Sequence, residues 1–289
     1  MDRRQFIGRM AGMGSLALAA SLIGNGGTLA QTMLAQSGSV NQRAARRLRV
    51  FVTGSSRGLG YGAARELLAQ GHEVVIHVRN DSRLPLVTDL LDKGAILTTG
   101  DLYHQDQVLG LAEQVNKIGD MDAVIHNAGM RYGREVLPVN IIAPFLLTAL
   151  IKRPKRLIYV GSRMHMNGQT DLERQDWFGA SADGSYGDSK LYNTTLAMAV
   201  ARLWPDTISN GLHPGWVPTR MGGANAPEPL RLGHLTQEWL ATSDDSEALT
   251  SGGYWYRQKR ETSHPAVQDT AFQDRLVGKL SNLLGMRLA

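Results

Sequence analysis

Thr53-Gly54-Ser55-Ser56-Arg57-Gly58-Leu59-Gly60 is the stretch that decides the fold. It follows an apolar run that starts at Leu48 and opens a segment of helical period, Leu59 to Gln70, which ends at Gly71. Glycines at such a place let the backbone turn tightly and come close to a ligand. The first N–H groups of the helix they introduce have no partner inside it and present the positive end of its dipole. Glycine-rich turns are common between a strand and a helix; a strand before and a helix after make this one a candidate pyrophosphate cradle.

Outward from that turn, short apolar runs alternate with helical-period segments, the pattern of repeated βα units on a parallel sheet. Strands are expected at Leu48 to Thr53, Glu73 to Val78, Ala95 to Thr99, Ala123 to His126, Leu157 to Val160, Thr207 to Leu212 and Gly253 to Tyr256. Helices are expected at Leu59 to Gln70, Leu84 to Lys93, Gln105 to Ile118, Pro138 to Ile151, Ser185 to Trp204 and Asp269 to Leu284. The strands are apolar on both sides of the pleat, as strands covered by helices on both faces must be. No repeat or internal linker interrupts them. The expected fold class is α/β, a single doubly wound Rossmann domain over residues 48–289 with a seven-stranded parallel sheet.

At the end of the second strand, where an acidic residue would accept the ribose 2′-OH of NAD, the sequence reads His77-Val78-Arg79-Asn80. An arginine pairs with a 2′-phosphate that a carboxylate would repel, so Arg79, with Arg57 beside the glycines, points to NADP(H). The Thr-Gly-x-x-x-Gly-x-Gly spacing resembles that of the short-chain dehydrogenase/reductase family. The resemblance continues in order along the chain. Asp101-Leu102 is similar to the family's adenine-contacting pair. Asn127-Ala128-Gly129 matches its Asn-Ala-Gly element, with His126 standing where a second Asn is common. Pro214-Gly215-Trp216-Val217-Pro218-Thr219 resembles the turn that covers the nicotinamide. The cofactor set expected on these grounds is Gly54, Ser56, Arg57, Gly58, Leu59, Gly60, Arg79, Asp101, Leu102, Asn127, Ala128, Gly129, Tyr186, Lys190, Pro214, Gly215, Val217 and Thr219.

Of the eight tyrosines, only Tyr186 has a lysine four residues on, Lys190, which places the two one turn apart on one helix face. A phenol titrates near pH 10, and a neighbouring ammonium is expected to draw it toward the operating pH, making Tyr186 a proton donor and acceptor. Ser162 ends the fifth strand and matches the family's catalytic serine, a donor aimed at the reacting oxygen. Asn140 aligns with the asparagine that helps hold a water in the family's proton relay. The resemblance thus implies a tetrad of Asn140, Ser162, Tyr186 and Lys190. The long interval between Ser162 and Tyr186, with Trp177-Phe178, and the later segments Thr236 to Ser243 and Gly252-Gly253-Tyr254 resemble the retinol dehydrogenase and protochlorophyllide reductase branch, which implies an apolar, bulky substrate.

The remaining observations narrow the chemistry. With no cysteine, thiolate nucleophiles, disulfides and Cys-ligated zinc are excluded, and the eight histidines form no ligand pattern, so no metal is called for. The net charge of +5 is mild, and Arg43, Arg46, Arg47 and Arg49 read as a solvated basic run; no nucleic-acid partner is expected. Residues 1–35 begin Asp2-Arg3-Arg4-Gln5-Phe6-Ile7, run weakly apolar from Met10 to Ile23 and offer Thr28-Leu29-Ala30 before Gln31. They resemble a twin-arginine export signal, followed by a linker over 36–47. The run is too short and glycine-rich for a membrane span, so membrane contact is expected only if the signal stays uncleaved. That implies the twin-arginine export machinery as a partner and a periplasmic location, with a cytoplasmic one as the alternative.

The expected function is hydride transfer between NADP(H) and a small-molecule carbonyl or alcohol. The alternatives are a dinucleotide-binding sensor or scaffold that has lost the chemistry, and an epimerase using the same Tyr and Lys. Oligomeric state is left open, a homo-oligomer included.

Overall fold

The computed structural model describes residues 46–181 and 183–288. The twin-arginine stretch and residues 36–45 of the linker lie outside the described residues. From Arg47 onward the chain forms one compact unit.

Eight strands make one sheet in the order β3-β2-β1-β4-β5-β6-β7-β8. They are β1 (Arg49–Val52), β2 (Glu73–Val78), β3 (Ile96–Thr99), β4 (Ala123–His126), β5 (Arg156–Val160), β6 (Ile208–Leu212), β7 (Tyr254–Tyr256) and β8 (Lys259–Arg260). The first seven pair in parallel; β8 turns back antiparallel on β7, which makes the sheet one short strand larger than expected. The sheet is buried on both faces because its pleat sends alternate side chains into two apolar layers. Phe51, Val75, Val124, Leu157 and Tyr159 enter one layer. Val50, Val52, Val74, Ile76, Ile125 and Ile158 enter the other.

The described helices are α1 (Gly58–Ala69), α2 (Thr88–Asp92), α3 (Gln105–Ile118), α4 (Ala143–Leu150), α5 (Tyr186–Leu203), α6 (Leu230–Thr242), α7 (Pro265–Gln268) and α8 (Thr270–Leu284). Helices α3, α4, α5 and α8 cover one sheet face, and α1, α2 and α6 the other. The segment expected as one helix over 84–93 is split, because Pro85 lies in a 3₁₀ stretch, Asp81–Leu86, before α2 begins. The segment over 138–151 starts with a π turn, Pro138–Ile142, that carries Asn140 before α4 follows. Helix α6 was not expected from the sequence, and its start takes in residues of the segment Met221 to Leu235 that reads as a loop. Gly233 is required by packing: a Cβ there would stand 2.8 Å from both Leu59 and Val217.

The strand order reverses between β1 and β4, and a crevice opens above their carboxyl ends, where doubly wound sheets bind ligands. Three bonds close its floor. Asn127 Nδ2 donates to Thr53 O at 2.9 Å, Ala128 N donates to Thr53 Oγ1 at 3.0 Å, and Thr53 N donates to Ile125 O at 3.0 Å.

Candidate active site

The glycine loop rises from the end of β1. Gly54 and Gly58 have φ of +70° and +61°, a region that costs other L residues about 1–2 kcal/mol, and a Cβ on Gly54 would sit 3.0 Å from Ala128 Cα. A Cβ on Gly60 would strike the Asn127 carboxamide and the Gly54 carbonyl, so Gly60 works by close packing beneath the loop and is buried away from the cleft. Helix α1 starts with Arg57 as its extended N-cap, with no side-chain cap and no acid in its first turn. Its free donors are left for an anion.

One residue of this loop's support escaped the sequence reading. His77, buried in β2, accepts from Gly54 N through Nδ1 at 3.0 Å and donates from Nε2 to Gly100 O at 2.7 Å. It thereby ties the β1, β2 and β3 ends together, and burial pushes it down to about 4, so it is neutral at pH 7. The legible signal was a lone polar residue in the apolar run Val74 to Val78.

A cleft of about 650 Å³ runs from this loop to Tyr186 and Lys190. Of the expected cofactor set, Gly54, Ser56, Arg57, Gly58, Leu59, Arg79, Asp101, Leu102, Asn127, Ala128, Gly129, Tyr186, Lys190, Pro214 and Thr219 line it. Gly60, Gly215 and Val217 do not; Val217 is buried under the following loop. Arg79 lies between two carboxylates, 3.7 Å from Asp101 Oδ2 and 3.4 Å from Glu135 Oε2. Asp101 was expected to meet adenine, and Glu135 was not anticipated. Arg57 and Arg83 line the cleft with Arg79.

At the other end the first turn of α5 presents the predicted pair. Ser185 caps the helix by accepting from Asp188 N, which sets Tyr186 at its first position. The Tyr186 hydroxyl is hydrogen-bonded to the Ser162 hydroxyl and donates to Met221 Sδ at 3.7 Å. Lys190 Nζ donates to Val160 O at 2.8 Å and stands 5.7 Å from the Tyr186 ring centroid. The charges differ from expectation. Burial pushes the Tyr186 phenol up, and what opposes this is the Ser162 hydrogen bond first and the Arg131 guanidinium second, not Lys190. Burial also pushes Lys190 down to about 8, which weakens it as a source of field. Asn140 is buried behind the cleft wall, and Ser162 is half-buried beside the Tyr186 hydroxyl. Asn140 Oδ1 accepts from Met130 N at 2.7 Å, and its Nδ2 donates to Met130 O at 2.8 Å and to Ser189 Oγ at 2.9 Å. Its side chain thus fastens the loop after β4 to α5.

Residues 49–154 match the family model for short chain dehydrogenase. An uncharacterised oxidoreductase of Emericella nidulans is 36% identical over 245 residues, covering 80% of this chain and 94% of the relative. A short-chain dehydrogenase of Penicillium rubens is 33% identical over 256 residues, covering 83% and 98%. The chain belongs to the short-chain dehydrogenase family. It is therefore an oxidoreductase acting on a small molecule. Retinol dehydrogenase 14 of Mus musculus is 28% identical over 280 residues, covering 78% and 83%. Among solved structures, a protein of Mycobacterium paratuberculosis superposes with a TM-score of 0.70 at 22% identity, covering 84% of this chain and 95% of that one. A metagenomic blue fluorescent protein in complex with NADPH superposes at 0.60 and 23% identity, covering 72% and 95%.

The loop over 214–229 forms part of the cleft wall near Tyr186, and two carboxylates tie it and the residue before it to the β7–β8 hairpin and its flank. Glu228 accepts from Trp216 N at 2.7 Å, from Tyr256 OH at 2.7 Å and from Arg257 Nη2 at 2.8 Å. Burial would push Glu228 up, but these three donors together hold it below the usual carboxylate value. Glu261 accepts from His213 Nε2 at 2.8 Å, and the His213 ring stacks on Tyr256 with centroids 4.4 Å apart. Gly215, at φ +81°, leaves the space that the Glu228 carboxylate fills. The hairpin turn itself is Arg257-Gln258 at φ of +48° and +61°, a two-residue turn that ordinarily takes Asn-Gly. No sequence signal marked these contacts, because each joins residues distant along the chain.

Proposed function

We propose that the protein transfers hydride between NADP(H) and an apolar carbonyl or alcohol, with Tyr186 as the general acid and base. The observation that carries this is the Tyr186 hydroxyl, hydrogen-bonded to Ser162 and one helical turn from Lys190, at one end of a cleft whose other end is an uncapped helix start. The fit of a dinucleotide rests on the same cradle: glycines where a Cβ would strike backbone, and free donors at the start of α1. Arg57, Arg79 and Arg83 favour a 2′-phosphate, with Arg79 already aligned by Asp101 and Glu135.

Bound nicotinamide supplies or accepts the hydride. In reduction the carbonyl carbon gains that hydride, its π pair takes the Tyr186 proton, and the phenol recovers a proton from solvent; oxidation runs the same transfers backward. Ser162 steadies the oxygen by hydrogen bonding, and Lys190 holds its ammonium on Val160 O beside the phenol. Exposed Met164, Trp216 and Met221 around this end suit an apolar substrate.

The test is an NADPH oxidation screen across aldehydes, ketones and quinones. Tyr186→Phe is expected to lower turnover by about 10²–10⁴-fold while NADPH binding by fluorescence is unchanged; retained turnover refutes the assignment. We propose in addition that the N-terminal segment exports the folded protein to the periplasm. Cell fractionation of the wild type against Arg3→Lys with Arg4→Lys tests that separately, the variant being expected to stay in the cytoplasm.

A further inference from the structure

We propose that the substrate carries an acidic group, a carboxylate or an acidic phenol or enol, and that Arg131 binds it. The inference rests on the hydride-transfer reading of the same cleft and adds a polar anchor to its apolar substrate.

Arg131 is placed firmly. It follows Met130, whose backbone N–H and carbonyl are both held by the Asn140 side chain. Its guanidinium lies 5.3 Å from the Tyr132 ring centroid and donates through Nη1 to Met221 O at 3.3 Å. Met221 in turn takes the Tyr186 hydroxyl on its sulfur. Arginine, methionine and catalytic phenol therefore form one contact chain along the cleft wall, and the positive charge reaches the phenol.

Among the described residues no carboxylate pairs with that charge. The acidic residues lining the cleft are Asp101 and Glu135, and both are paired with Arg79. Among the described residues the hydrogen bond that Arg131 makes is the one to Met221 O, which leaves most of its planar fork of five N–H donors for a ligand. A fork of that shape takes a carboxylate through two parallel hydrogen bonds.

The ordinary explanation is a half-buried surface arginine. Its position counts against that, since a lone guanidinium beside the proton donor acts on whatever carbonyl compound docks there. A second explanation is pairing with cofactor phosphate. The glycine loop and the arginines Arg57, Arg79 and Arg83 already serve that need, and Arg131 stands with Met221 and Tyr186. Close by, Met164 is bonded through its N–H to Ser162 Oγ, and the Trp216 indole donates to Gly222 O next to Met221. An aromatic acid fits a cation so bordered: the ring lies on the apolar side chains, the acid group on Arg131, and the carbonyl is turned toward Tyr186 and Ser162.

The experiment is isothermal titration of the full-length protein, loaded with NADP⁺, with naphthoate and with its uncharged isostere naphthamide. The wild type is expected to bind naphthoate about tenfold more tightly or better, and the preference should shrink as salt is raised. Arg131→Gln should bring the two probes to within about twofold without changing naphthamide affinity, and Arg131→Lys should restore part of the preference. Equal binding by the wild type, no naphthoate binding at about millimolar concentration, or a preference that survives in Arg131→Gln each overturns the proposal. Tyr186→Phe should keep the preference. If it does while no carbonyl compound is turned over by the wild type, the hydride-transfer reading falls and the anion site stands.

Discussion

The two ends of the cleft are built by opposite means. At the glycine-loop end the shape comes from the backbone of one short segment, Gly54 to Gly60, braced from below by Asn127 and His77. At the substrate end no segment has an intrinsic shape of this kind. Glu228 of the loop over 214–229 reaches to the β7–β8 hairpin, Glu261 just past that hairpin takes His213 at the head of the loop, and the hairpin turns through two left-handed residues that are not glycine. The difference teaches that the glycine turn takes its shape from local geometry, whereas the wall near Tyr186 depends on contacts between residues distant in sequence, the Arg257–Glu228 ion pair among them, and on a turn of two left-handed residues that are not glycine. Backbone strain of this kind collects at functional sites, where the surroundings must compensate for it.

Three variants break or sharpen that contrast. The largest effect is expected at the rigid end. Gly60→Ala drives a methyl into Asn127 and the Gly54 carbonyl and should cost about 3 kcal/mol in urea unfolding, with NADPH binding lost. A mild phenotype would mean that the loop is not the tightly packed element described.

The next is Lys190→Met, which separates stability from chemistry. In the folded protein Lys190 titrates near 8 instead of 10.5, so the unfolded chain binds more protons between those values. The cost of burying the charge is present in full below pH 8 and relieved as pH rises toward 10.5. Lys190→Met should therefore raise stability at pH 7 by about 2 kcal/mol, allowing for the lost bond to Val160, and abolish turnover. The gain should vanish near pH 10.5. In the wild type, turnover should decline above pH 8 as the ammonium is lost.

The smallest concerns the hairpin. Arg257→Asn with Gln258→Gly relieves the turn and should raise stability by about 1 kcal/mol, seen as a slightly higher Tm. It also removes the Arg257 hold on Glu228, so KM for the carbonyl substrate should rise severalfold with kcat little changed. If KM stays constant, Trp216 and Tyr256 suffice to hold Glu228, and the hairpin is only a scaffold.

Legibility follows the same division. The βα alternation places seven strands, and the motifs assign Ser162 and Tyr186 to one tetrad, whose hydroxyls the fold brings together. Both rest on local rules, period and spacing within one element. Helix α6 was hidden because Gly233 stands inside it, and the reason for that glycine shows only when Leu59 and Val217 are seen against it. The roles of His77 and Glu135 were hidden as well, since a strand histidine and a loop glutamate carry no spacing signature.

Sequence by itself determined the parallel sheet, the glycine turn after β1 and the placing of Tyr186 and Lys190 one helical turn apart, because each follows from the conformational preferences of neighbouring residues. Tertiary structure alone decided the charges: that burial raises the Tyr186 phenol and lowers Lys190, that Arg79 lies between two acids, and that Arg131 is the cation whose field opposes the rise at the phenol. Electrostatic energies depend on through-space distance and on exclusion of water, and neither is written in the order of residues along a chain.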